Sequence, residues 1–271
     1  MNFLKAIFLG LIQGLTEFLP ISSSGHLMIF ESLLGLESNN MFYNILLHVA
    51  TLLAVVIVFW KDIVDILKHP FGEKMRFIVI ATIPTVVLAL VINHFFDDNA
   101  LKVFVGFGFL ISSFVIALTS ILQKKAIKAL PKPMTKTKAF FVGLVQGLAV
   151  FPGISRSGST ICAGLIQGVD REESASFSFL VSIPVILGGM IFEIASGVKH
   201  GFGDVDWLSC VVGFIVAFVV AIFTIKLMMK IVKKGNWWYF SIYLFALSVI
   251  VILNQFVFGW FWNCEKDHIY I

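Results

Sequence analysis

The chain has 271 residues, of which 59% are hydrophobic and only 13% charged, and its mean hydropathy is +0.97. This composition excludes an ordinary soluble domain and requires a bilayer as solvent for most of the length. The net charge of +4 is small, points to no nucleic-acid partner, and matters less than where the charges fall.

Residues 3–19 form an apolar, helical run that stops at Pro20. Gln13 and Glu17 interrupt it and no small-residue cleavage site follows, so the run is expected to stay in the mature protein rather than act as a signal peptide. A polar turn of Ser22, Ser23, Ser24 and Gly25 comes next, and His26 opens a short apolar run to Leu36. Neither half reaches the ~20 residues that span a bilayer. Residues 3–36 are therefore predicted to enter the membrane and return as a helical hairpin, covered at depth by protein or a water-filled cavity. The alternative is one kinked helix over residues 3–30. Three spans, at about 42–60, 77–95 and 100–122, complete a first repeat of residues 1–123.

The segment 124–138 carries six lysines and two prolines and reads as a joint. A second repeat over 139–271 then follows the same plan: a hairpin at 139–168 with its turn at Pro152–Gly158, and spans at about 174–197, 207–229 and 238–258. The fold class predicted is an all-α polytopic membrane protein with six transmembrane helices and two re-entrant helical hairpins. Three spans per repeat is an odd number, so the second repeat should sit upside-down relative to the first, the inverted arrangement that places sites near the midplane.

Lysine and arginine counts orient the chain. One set of loops holds fifteen: Lys61, Lys68, Lys74, Arg76, the joint's Lys124, Lys125, Lys128, Lys132, Lys136 and Lys138, then Arg171, Lys226, Lys230, Lys233 and Lys234. The other side holds Lys5, Lys102, Lys199 and Lys266. This bias places the first set in the cytoplasm and both termini outside a plasma or inner membrane. Trp237 and Trp238 should then mark the inner interface, and Trp260 and Trp262 the outer one. Cys162, Cys210 and Cys264 are isolated, without metal-ligand spacing, and read as small apolar fillers.

The two hairpins repeat one another. IQGLTEFLPISSSGH (Ile12–His26) and VQGLAVFPGISRSGS (Val145–Ser159) match at eight of fifteen positions at an offset of 133. Mismatches fall where chemistry could sit: Glu17 against Val150, Ser23 against Arg156, His26 against Ser159. Residues that shape the backbone repeat and reactive ones do not, as expected of a two-fold scaffold with one asymmetric site.

Gln13 and Glu17 lie four apart on one helix face, and Ser23 and His26 three apart on another. A serine-rich turn leading into a helix offers unpaired N–H groups and a positive dipole end to an anion, here with Ser22, Ser24 and Gly25. The second turn adds Arg156, flanked by Ser155, Ser157, Gly158, Ser159 and Thr160. A guanidinium at depth needs an anion or water, and arginine can grip phosphate with two parallel hydrogen bonds. The set suits phosphoryl chemistry on a membrane-resident substrate. Other readings of the same residues are serines as helix caps, Glu17 and Arg156 as a structural ion pair, and His26 as a polar cap near the interface. His48 reads as a satisfied core histidine in an apolar span. Glu193 near a span end and Arg171 in a loop read as hydrated.

These motifs resemble a known family. QGLTEFLPISSSGH resembles the first motif of the undecaprenyl-diphosphatase, or bacitracin-resistance, family, and FPGISRSGST its Pro-Gly-x-Ser-Arg-Ser-x-x-Thr signature. LLAVVIVFW and SFSFL extend the likeness over nearly the whole chain. The resemblance implies removal of the terminal phosphate of undecaprenyl diphosphate, with Glu17, Ser23, His26 and Arg156 carrying catalysis and Mg²⁺ or Ca²⁺ as cofactor, Glu17 among its ligands. The family motif has Glu or Gln at the place of Gln13. An amide there can ligate or hydrogen-bond but cannot act as a base, so Glu17 would do the acidic work alone. Two nucleophiles stay open, the Ser23 hydroxyl with His26 as its base or a metal-activated water. The partners implied are the bilayer and a polyprenyl diphosphate, with a homo-oligomer left open and the site facing the outer side. The rival from another class is a transporter or flippase of polyprenyl phosphate, whose architecture is also an inverted repeat. A membrane scaffold protein would have no reason to place these groups at depth.

Overall fold

Two short helices and a turn form where the first motif predicts them. The computed structural model describes residues 2–36, 41–96, 98–125, 130–200 and 206–258. Helix α1 (Phe3–Thr16) starts on an Asn2 cap whose side chain accepts from the Leu4 N–H. It ends four residues before Pro20, which has no N–H to offer the Thr16 carbonyl. Helix α2 (Ser23–Leu33) runs back along it: Lys5 Nζ donates to the Leu34 carbonyl at 2.6 Å and Phe8 meets Phe30 edge to face at 5.0 Å. The single kinked helix is therefore not what forms. Helices α7 (Lys136–Leu148) and α8 (Arg156–Ile166) make the second pair, closed where Gln167 Nε2 donates to the Lys138 carbonyl at 3.3 Å.

Between and after the pairs run α3 (Met41–Val58), a short α4 (Trp60–Lys68), α5 (Glu73–Phe95), α6 (Asp98–Lys125), α9 (Arg171–His200), α10 (Trp207–Lys234) and α11 (Tyr239–Leu253). The described residues contain no β-strand. Six helices are long and apolar enough to cross a membrane: Met41–Val58, Glu73–Phe95, Leu101–Lys124, Arg171–Lys199, Trp207–Lys234 and Tyr239–Val257. They agree with the predicted spans to within a few residues. The main differences lie at lysine- and arginine-bearing ends, where a helix continues past its apolar stretch; α10 stops only at Gly235, whose φ of +70° terminates it. Helix α4 was not expected, and follows α3 with a single residue between them.

Glycine pairs fix how the hairpins sit among the spans. Gly10 and Gly14 of α1 press on α10, and a Cβ on either would fall 2.6–2.7 Å from the Gly213 or Ala217 carbonyl. Gly143 and Gly147, their counterparts at the offset of 133, let α7 lie on α5. A Cβ on Gly143 would strike the Ala81 backbone, and one on Gly147 the Leu88 side chain. Small residues four apart allow helix axes to close in where no hydrophobic force drives them together. Thr85 Oγ1 seals the second contact by donating to the Gly143 carbonyl at 2.9 Å, and Tyr43 serves the first with a bond to the Ala6 carbonyl at 2.6 Å.

The expectation for Trp237 needs revision. Trp237 is 1% exposed and packs in the core with Phe59, Phe179 and Met228, so it is no membrane-interface anchor, whereas Trp238 is half-exposed. The indole precedes α11 at the end of the α10–α11 connection and turns inward, since the apolar interior takes the whole ring. Cys162 and Cys210 are buried, as fillers should be. Trp260, Trp262, Cys264, Lys266 and Lys128 lie outside the described residues.

The glycine contacts set a test. Gly143→Val should destabilise the protein by about 2 kcal/mol or more, since the obstruction is backbone and cannot swing away. Gly188→Ala, with nothing within 4 Å of its Cβ position, should be neutral or slightly stabilising. Thermal unfolding of the two variants in detergent checks the order.

Candidate active site

The turns of the two helix pairs interlock. Ser157 Oγ of the second donates to the Leu19 carbonyl of the first at 3.0 Å, Gly158 packs against Pro20, and Gly25 lies over Gly153. Each turn also has a helical support. Ser112 of α6 donates to the Gly153 carbonyl at 3.3 Å and accepts from the Ser155 N–H at 2.8 Å. Tyr243 of α11 bonds to His26 at 2.7 Å. Gly153, at φ +84°, sits against the Val105 carbonyl, where any side chain would collide.

Glu17 stands at the junction. One carboxylate oxygen is ion-paired with the Arg156 guanidinium; the other accepts from Ser23 Oγ at 2.5 Å and from Gln13 Nε2 at 3.0 Å. The Glu17 side chain is 2% exposed, so these donors replace its hydration. All of them favour the ionised form. Ser23 is thereby a hydroxyl already donating its proton toward a carboxylate, the relation a nucleophile has to its base.

A cavity of about 270 Å³ opens in front of this group. Glu17, Ser22, Ser23, Ser24, Ser155 and Arg156 line it from the turns. Ser22 Oγ and Ser155 Oγ also accept from the Gly25 and Gly158 N–H groups, at 3.4 and 3.1 Å, so both cap their helices as well. Gln13 does not line the cavity; its Nε2 bonds to Glu17 behind it. Gly25, Ser157, Gly158 and Thr160 shape the turns without lining the cavity: Thr160 Oγ1 is held by the Arg156 carbonyl at 2.8 Å and Ser178 Oγ at 2.5 Å.

His26 is not paired with Ser23. Nδ1 bonds to the Ser22 carbonyl at 2.7 Å, Nε2 meets the Tyr243 hydroxyl at 2.7 Å, and the ring packs edge-on against Phe109. It is buried, which sets aside the interfacial cap. Ser22 has φ +68°, the one non-glycine residue with positive φ among the described residues, whereas its counterpart Ser155 has φ −74°. The reversed φ at Ser22 goes with a carbonyl that accepts from the His26 ring. A residue held there costs about 1–3 kcal/mol, a cost met chiefly at functional sites.

The sequence is similar to those of known proteins. A sequence profile described as "Bacitracin resistance protein BacA" matches residues 6–250. Proteins named undecaprenyl-diphosphatase from Carboxydothermus hydrogenoformans and Halothermothrix orenii are each 40% identical, the matches covering 94% and 95% of this chain and 98% and 100% of theirs. One from Bacteroides thetaiotaomicron is 39% identical over 94% of this chain and its own full length. The chain belongs to the bacitracin resistance protein BacA family. It is a multi-pass membrane protein.

In this BacA-family chain the cavity is also lined by two residues that the sequence offers only as lesser candidates. His48 of α3 and Glu193 of α9 both line it, among Val185, Ile186 and Met190. His48 Nδ1 donates to the Asn44 carbonyl at 2.9 Å, which fixes how the ring is turned. The available signal was plain: ionisable groups inside apolar spans are rare and mark polar pathways. For a divalent cation, the fitting donors are Glu17 and the Gln13 amide oxygen, which is buried and has no hydrogen-bond partner in the described structure. Hard oxygens suit Mg²⁺ or Ca²⁺, but two of them would hold it only with phosphate oxygens and water supplying the rest. No cluster of three His, Cys, Asp or Glu side chains among the described residues could do so alone.

The strain at Ser22 yields an ordering. Ser22→Gly relieves the backbone and loses only a few tenths of the cap, whereas Ser22→Ala keeps the strain and loses the cap. The glycine variant should be the more stable by about 1 kcal/mol or more, as read from thermal unfolding in detergent.

Proposed function

We propose that this chain hydrolyses undecaprenyl diphosphate to undecaprenyl phosphate and inorganic phosphate, recycling the lipid carrier of cell-wall sugars and so conferring bacitracin resistance. The observation that carries the mechanism is Glu17, ion-paired to Arg156 on one oxygen and accepting the Ser23 proton on the other. The terminal phosphate lies in the cavity against Arg156 and the turn serines. Ser23 Oγ attacks its phosphorus, the proton passes to Glu17, and the bond to the bridging oxygen breaks as polyprenyl phosphate leaves. Water then cleaves the phosphoserine, giving inorganic phosphate and restoring Ser23. Arg156 neutralises charge that spreads over the phosphoryl oxygens. His26 holds the turn from behind through the Ser22 carbonyl and Tyr243. Mg²⁺ or Ca²⁺, held by Glu17, Gln13 and the diphosphate, would supply further charge neutralisation when bound.

The reading extends to topology. The two hairpins are re-entrant, the first from outside and the second from the cytoplasm, in an inverted repeat with both termini outside and the site open to the outer face. The lysine and arginine bias supports this orientation. The swapped packing of α1 on α10 and α7 on α5 supports the repeat. That symmetry would equally suit a transporter of polyprenyl phosphate. The carboxylate–hydroxyl pair favours bond cleavage, since a carrier needs only the anion grip.

Phosphate release from a polyprenyl diphosphate by purified protein in detergent tests the chemistry. Arg156→Lys keeps the charge and loses the fork, so activity should fall well beyond tenfold, about 2 kcal/mol or more in the barrier. Ser23→Ala and Glu17→Gln should each lose nearly all turnover, Ser23→Ala while still binding the lipid, and chelator should lower the parent's rate. A per cent or more of turnover in Ser23→Ala, with no protein-bound phosphate formed, would assign the attack to water.

Topology has its own test. Single cysteines near residue 2 and near residue 132, in a background free of native cysteines, are labelled on intact cells with a membrane-impermeant maleimide. The first should react and the second only after lysis. The reverse pattern would overturn the outward-facing site.

A further inference from the structure

A second cavity, of about 570 Å³, lies where α6 and α10 end and α9 begins. It is far from the catalytic one. Arg171 opens α9, and Gly189, in the catalytic wall, is five turns further along the same helix, about 27 Å at 1.5 Å per residue. Lys124, Arg171 and Lys234 line it, with Ser120, Gln123 and Asp170.

The charges there are unbalanced. None of the three cations has a carboxylate within ion-pairing distance among the described residues; Glu172, next along α9, pairs with Lys233 instead. Asp170 is committed as a helix cap, its Oδ1 accepting from the Glu172 and Glu173 N–H groups at 2.8 and 3.2 Å. The half-buried Arg171 guanidinium has only long contacts, Nε to Gln123 Oε1 at 3.4 Å and one terminal nitrogen to the Lys233 carbonyl at 3.5 Å. It lies over Gly235, where a side chain would displace it. A separate observation points the same way: the Ser120 hydroxyl, on a residue 6% exposed, is buried with no hydrogen-bond partner at this cavity. A buried hydroxyl left unpaired is costly unless something binds it.

Two lysines, an arginine and an unpartnered hydroxyl lining one cavity suit a tetrahedral oxyanion. Leu130, Pro131 and Val169 give the same cavity an apolar side. Basic pockets between transmembrane helices near the membrane surface are places where lipid headgroups settle. We propose that this cavity binds a phosphate group, carried by an anionic phospholipid headgroup or present as inorganic phosphate, independently of the catalytic site.

The test uses full-length protein carrying Arg156→Gln, so that the catalytic cavity does not hold the probe. Phosphatidylglycerol, phosphatidylcholine and inorganic phosphate are titrated against it in detergent, with binding read by native mass spectrometry and by the shift in thermal unfolding. Phosphatidylglycerol should bind and phosphatidylcholine should not. Adding Lys124→Gln with Lys234→Gln should weaken phosphatidylglycerol at least tenfold, and Ser120→Ala, which leaves every charge in place, severalfold. A control pair on the same helix but outside the cavity, Lys226→Gln with Lys230→Gln, should leave binding unchanged. Inorganic phosphate binding with the same sensitivity, and no lipid retained, would identify free phosphate as the ligand. Equal affinity in parent and cavity variants, equal loss in the control pair, or no binding of either probe would overturn the site. Lys124 and Lys234 would then be cations complementing two helix C-termini.

Discussion

The structure depends on one buried contact, the ion pair between Glu17 and Arg156. Each group comes from a different hairpin, and the carboxylate, 2% exposed, has the guanidinium as its counter-ion. Breaking such a pair by removing one partner costs about 3–5 kcal/mol, because the other charge is left without solvent or counter-ion. The pair therefore locks the two turns together and also keeps the site charged. Ser23 and Gln13 complete the shell around the same carboxylate. On the proposed reading a substrate phosphate would share the guanidinium with Glu17, and the carboxylate would become freer to take a proton as the substrate arrives.

Around this contact the repeat supplies the frame and the exceptions supply the chemistry. The glycines at 10 and 14, and again at 143 and 147, do the same steric work on α10 and α5. The serines at 22 and 155 cap α2 and α8 in the same way. The symmetry stops at the Ser22 backbone. Its positive φ goes with a carbonyl that holds His26, while Ser155 in a relaxed conformation leads into Arg156. One turn is strained toward a histidine and the other carries a cation. A near-copy of one hairpin has become the complement of the other.

The fold was readable from the sequence because its determinants are local. Apolar run lengths gave the spans, Pro20 ended α1, and the offset of 133 paired the turns. The turn residues that line the cavity were readable for the same reason, since within each turn their neighbours in sequence are their neighbours in space. His48 and Glu193 were not, because which face of a long helix looks into a cavity is set by the rotation of α3 and α9 against other helices, and apolar spans of near-uniform hydropathy leave that rotation unmarked. Spacing placed Ser23 and His26 at one end of α2, but the imidazole bonds to the Ser22 carbonyl and the Ser23 hydroxyl to Glu17, so the two are not paired. Trp237 was misplaced because its inward rotation depends on a pocket formed by α3, α9 and α10 together.

The size of the cavity constrains how a lipid diphosphate could be recognised. At about 270 Å³ it falls at or below the ~300–1,000 Å³ of pockets that enclose drug-sized ligands. It can take a charged head but not a polyprenyl chain. On the proposed reading the chain must lie outside, against the apolar helix surfaces that the fold leaves exposed, such as Ile191, Phe192 and Val198 further along α9. That surface is adapted to lipid in general and has little means of counting prenyl units. Selectivity then resides in the head, in whether a diphosphate can reach Arg156 while its reacting phosphorus sits over Ser23. A phosphodiester headgroup carries bulk on the far side of its phosphorus and cannot bring the atom to the same place. On that reading the buried ion pair that joins the two turns would also fix where the substrate's phosphorus lies.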